Sequence, residues 1–73
     1  MTWRHGNVAV EANERVEVWR QHSDESWFTY VGTTSMYEGE VVIRPVDIET
    51  MEFHDKPPIP TESRQVWRTL SNS

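Results

Sequence analysis

Three histidines, His5, His22 and His54, stand 17 and 32 residues apart in the chain. Zinc sites use histidine and cysteine at short paired spacings, and this chain has no cysteine. No metal and no cofactor are therefore expected. His22, Ser23 and Asp24 supply the residue types of a hydrolase triad, but as chain neighbours. A triad needs them converging from separate segments beside an oxyanion hole, so the three read as turn chemistry. Glu38 and Glu40 flank Gly39. On an extended strand they lie about 7 Å apart, a separation that resembles the acid–base pairs of glycosidases. A chain of 73 residues has little room for a substrate cleft, and solvated acids near a turn explain the pair better. Gly-rich phosphate loops and dinucleotide motifs are absent. The expectation is a protein without enzymatic activity.

Charge points instead to binding. The formal net charge is −5, and it is concentrated in the middle of the chain. Residues 21–55 hold Asp24, Glu25, Glu38, Glu40, Asp47, Glu49, Glu52 and Asp55 against Arg44 alone. Residues 1–20 balance Arg4, Arg15 and Arg20 with Glu11, Glu14 and Glu17, while residues 56–73 set Lys56, Arg64 and Arg68 against Glu62. An acidic middle repels nucleic acid and favours a basic partner surface. A solvated face that keeps a small protein soluble accounts for the same charges.

Aromatic residues carry the second signal. Trp3, Trp19, Trp27 and Trp67 join two Tyr and two Phe. A fully buried large ring removes roughly 150–250 Å² from water, about 4–6 kcal/mol gross before entropy is subtracted. Two or three such rings hold a mini-domain together, and exposed ones serve as anchors at a binding surface. Trp27, Phe28, Tyr30 and Tyr37 also suit base stacking. A basic groove for phosphates is what such binders need, and Asp24, Glu25, Glu38 and Glu40 flank these rings instead. Nucleic acid is thus the less favoured partner.

The elements that must position these residues are mostly strands. Val8 and Val10 alternate with Ala9 and Glu11, and Val16 and Val18 with Glu17 and Trp19, as half-buried strands do. Ala12-Asn13-Glu14 between them reads as a tight turn, and residues 22–26 as a polar one. Trp27–Val31 has the composition a pleated surface prefers. Gly32 through Gly39 reads as a looser connection, and 40–44 as a fourth strand that Pro45 ends or places at an edge. Over 47–53 a fifth strand competes with a helical turn capped by Asp47. Three prolines in 57–60 impose a stiff extended linker, which also has the look of a ligand for an aromatic groove. Beyond it, Thr61 is placed to cap a short amphipathic helix with Val66, Trp67 and Leu70 on one face.

No stretch reaches the ~20 apolar residues of a membrane span. The opening residues lack the apolar centre of a signal peptide, so a cytoplasmic location without membrane contact is expected.

The expected fold is mainly β, or α+β. It is a small antiparallel sheet or barrel of four or five strands over residues 1–55, a proline-rich linker at 56–60, and a C-terminal amphipathic helix or tail over 61–73. In count and rhythm of strands it resembles SH3-like small barrels, an architectural likeness that implies no function. The expected role is a protein–protein interaction module that regulates or inhibits a larger protein, itself a candidate nucleic-acid binder, through an acidic surface. Glu38, Glu40, Asp47, Glu49 and Tyr37 would meet the partner's basic surface. Val66, Trp67 and Leu70 would complete the core or anchor an interface, such as a homodimer. The alternative is single-stranded nucleic-acid binding by the aromatic strand.

Overall fold

A computed structural model describes residues 3–6, 11–23, 26–46, 49 and 51–70. The strand expected at Val8–Val10, and the residues Asp24, Glu25, Asp47, Ile48 and Thr50, lie outside that set. The described chain is mainly β, with six strands and no helix: β1 (Arg4–His5), β2 (Arg15–Gln21), β3 (Trp27–Tyr37), β4 (Glu40–Pro45), β5 (Glu52–His54) and β6 (Gln65–Thr69). They form one antiparallel, half-barrel sheet in the order β1-β6-β2-β3-β4, with β5 paired to β3.

Alternation in β2 decides the faces. Val16 and Val18 are fully buried, and across the ladder Val18 meets Tyr30 on one side and Trp67 on the other. These residues and Phe28 form the core, with Val41, Ile43 and Met51 packed against it. The buried polar side chains of Thr34 and Gln65 are paired, as burial demands. The Thr34 hydroxyl accepts from the Glu14 backbone N–H at 2.9 Å, and Gln65 Nε2 donates to the Gly6 carbonyl at 3.2 Å.

The C-terminal helix is not formed. Residues 65–69 are instead β6, seated between β1 and β2. An isolated helix of ten residues is marginal in water. The strand gains a hydrogen-bonded neighbour on each edge and places Trp67, 1% exposed, against the core. The helical grouping of Val66, Trp67 and Leu70 is therefore corrected. Val66 and Trp67 point to opposite faces of the sheet, as the period of two requires. Both are buried within the chain itself.

The connection read at 32–39 is also corrected. β3 runs on through Tyr37 and pairs with β4 from Gly32↔Pro45 to Tyr37↔Glu40. Only Glu38 and Gly39 lie between the strands, at φ 51° and 85°. Positive φ at both central positions is the signature of a two-residue type I′ hairpin, whose twist matches that of its strands. Gly32 is needed for a different reason: a Cβ there would stand 2.8 Å from the Arg44 carbonyl oxygen.

The eleven residues of β3 serve two partners along one edge. β5 pairs with 27–29 and β4 with 32–37. That division leaves open the space above the middle of β3.

Candidate functional site

Glu17 and Trp19 project from β2 on the face opposite Val16 and Val18. Residues i and i+2 of a strand share a face, and here they also bond. The Trp19 indole N–H donates to Glu17 Oε2 at 2.7 Å. The other carboxylate oxygen accepts from Arg68 Nη2 at 3.0 Å and Nε at 3.3 Å. The Arg68 guanidinium in turn lies 4.8 Å from the centroid of the Trp3 ring. Glu17 is thus held by β2 and β6 together, at a register where Glu17 faces Arg68.

β5 brings the opposite wall. His54 pairs with Trp27 and stacks obliquely on Trp19, ring centroids 4.4 Å apart. Its Nε2 lies 3.3 Å from Thr29 Oγ1 and 3.8 Å from Glu52 Oε2. The Glu52 side chain is 76% exposed, so water solvates its outward side.

Between these walls lies a hollow of about 490 Å³, lined by Glu17, Trp19, Thr29, Tyr30, Val31, Glu52, His54 and Leu70. An indole, two carboxylates and an aliphatic floor meet there, and no Lys or Arg lines it. Glu17 is already engaged by Trp19 and Arg68, so a cation carried on an aliphatic stem would gain there from the exposed Glu52 carboxylate and the Trp19 ring. The phenol of Tyr30 is pushed above its usual range by burial, an effect the positive charge of Arg20 partly opposes.

The residues expected from sequence to form the site are dispersed. Glu38 and Glu40 lie at the β3–β4 hairpin. Tyr37 is 54% exposed there, with the Arg44 guanidinium 5.8 Å from its ring centroid. Tyr37 lies eight residue steps along β3 from Thr29, at most about 26 Å of strand. Glu49 is exposed, and Asp47 is outside the described residues. Leu70 reaches the hollow, whereas Val66 and Trp67 are packed inside the protein. Glu17, Trp19, Glu52 and His54 are not among the residues the sequence points to as a site. The Glu17-x-Trp19 alternation was the signal available for the first two.

Trp27, Phe28 and Tyr30 are buried to 5%, 9% and 8% exposure, so three rings of the aromatic strand have no face open to a base. His22 and Phe53 extend the Phe28 cluster outward, with centroids 4.5 and 6.3 Å from that of Phe28 and 6.1 Å from each other. Among the described residues no group of three or more His, Asp or Glu side chains is placed to hold a metal ion. No helix there is long and apolar enough to cross a membrane. Comparison with protein-family models, curated proteins and solved structures gives no match to this chain.

Proposed function

We propose that this protein is a small interaction module that docks on a basic surface of a larger protein and seats one Lys or Arg side chain of that partner in the hollow beside Trp19. One observation carries the reading: Trp19, Glu17 and Glu52 converge on a single concavity that no Lys or Arg lines. The net charge of −5 supports it at longer range, by steering a positive surface toward the domain.

Magnitudes set the role of the hollow. A cation on a Trp face contributes roughly 0.5–2 kcal/mol. An exposed carboxylate pair adds about 0.2–1 kcal/mol. A micromolar complex needs about 8 kcal/mol. The hollow therefore anchors one side chain within a wider contact, to which the acidic hairpin at Glu38 and Glu40 adds negative potential. A module that covers a basic surface competes with whatever polyanion that surface would hold. This supports an inhibitory role toward a nucleic-acid-binding partner.

The test uses the intact chain and three probes: an Arg/Gly-rich peptide, its Glu/Gly counterpart and a single-stranded DNA oligonucleotide. Expected are shifts of the Trp19 indole and His54 ring signals with the basic peptide only. They should weaken as salt rises and be lost in Trp19→Ala and Glu52→Lys. Equal response to the acidic peptide, or preference for the oligonucleotide, would overturn the reading.

A further inference from the structure

β4 ends the sheet, and among the described residues no strand pairs with its second edge. The backbone direction along that edge follows from one bond. The Val46 N–H donates to the Val31 carbonyl at 3.0 Å, so position 46 turns its polar groups toward β3. In an antiparallel ladder this orientation alternates. Glu40, Val42 and Arg44 then also turn inward, and Val41, Ile43 and Pro45 turn their backbone groups outward. Pro45 has no N–H, so Val41 and Ile43 carry the two outward donors.

Those two donors define a self-complementary edge. We propose that two copies of the chain pair through β4, antiparallel, about a two-fold axis at Val42. In that register Val41 faces Ile43 of the second copy, and each such pair exchanges two hydrogen bonds. Val42 faces its own counterpart. Glu40 faces Arg44, twice, at the non-hydrogen-bonded positions where cross-strand side chains are closest.

Neighbouring registers are poorer. Moving the axis to Ile43 sets Pro45 where a donor is needed. Moving it to Val41 removes both Glu40–Arg44 pairs. Charges and proline on an edge strand ordinarily serve to repel a second copy. Here the two charges have opposite sign and stand symmetrically about Val42, so a second copy is attracted. The surroundings fit the same occupant. Of the four exposed large hydrophobics, Met36, Tyr37 and Val46 lie beside β4, on its hairpin partner or just past its end. Five paired residues per copy make a small contact, so the dimer forms reversibly.

Sedimentation velocity from micromolar to millimolar concentration tests the idea on the intact chain. Expected is a monomer that shifts toward a dimer as concentration rises. Arg44→Glu should abolish the shift, and Glu40→Arg combined with Arg44→Glu should restore it. The chain has no cysteine, so Val42→Cys gives a single thiol that reads the register. Facing Cα atoms about 4.5 Å apart allow a disulfide. Oxidation should cross-link Val42→Cys and leave Val46→Cys, offset from the axis, largely monomeric. A monomer throughout, or a dimer that ignores the charge swap and cross-links at both positions alike, would overturn the proposal. Neither result bears on the hollow at Trp19, which lies elsewhere on the sheet.

Discussion

Trp19 and Glu17 bind each other on one face of β2, indole N–H to carboxylate at 2.7 Å, and the same carboxylate receives Arg68 from β6. The Arg68 and Glu17 side chains are 35% and 25% exposed, so water screens the ion pair. A double-mutant cycle of Glu17→Gln and Arg68→Met should give a coupling of about 0.5–1 kcal/mol in urea denaturation. A coupling well above that range would show the pair to be a structural clamp.

Trp67 is 1% exposed, with its indole N–H unpartnered among the described residues. Arg4 lies over the ring, 5.5 Å from its centroid. Trp67→Ala should cost about 3–5 kcal/mol, most of the margin of a small domain. Trp67→Phe should cost less than half as much, because it keeps most of the buried ring, while both substitutions remove the unpartnered donor. Equal losses in the two variants, measured by urea denaturation, would show that the phenyl ring restores none of the packing lost with Trp67.

Glu38 holds φ 51° in the type I′ turn, a conformation that Asn tolerates far better. Glu38→Asn should stabilise the fold by about 0.5–1 kcal/mol, raising the melting temperature by roughly 2–8 °C in a domain of this size. A fall in melting temperature would mean that the turn has another geometry.

Tyr30 gives a pH dependence of definite sign. Burial disfavours its phenolate, so its pKa is higher folded than unfolded. The unfolded chain loses this proton first as pH rises. The contribution to stability is therefore intact below about pH 10 and is lost above it, as pH climbs through the folded-state ionisation. Tyr30→Phe should flatten the alkaline loss of stability seen by circular dichroism, with Tyr37→Phe as the exposed control. Identical alkaline profiles for Tyr30→Phe and the parent would remove the effect.

The sequence by itself determined the class of fold and the faces of its best strand. Val16 and Val18 against Glu17 and Trp19 are legible because a strand has a period of two, whatever it pairs with. The amino-acid sequence left open the conformation of residues 65–69. Val66, Trp67 and Leu70 fit a helical stripe as well as a strand, and only the two flanking ladders of β6 select between them. The hollow was hidden for the same reason. Its walls come from β2 and β5, more than thirty residues apart in the chain. Their approach depends on how β3 divides one edge between β4 and β5. Local alternation is a property of neighbouring residues, while strand pairing is a competition among all segments, and tertiary structure alone decides it.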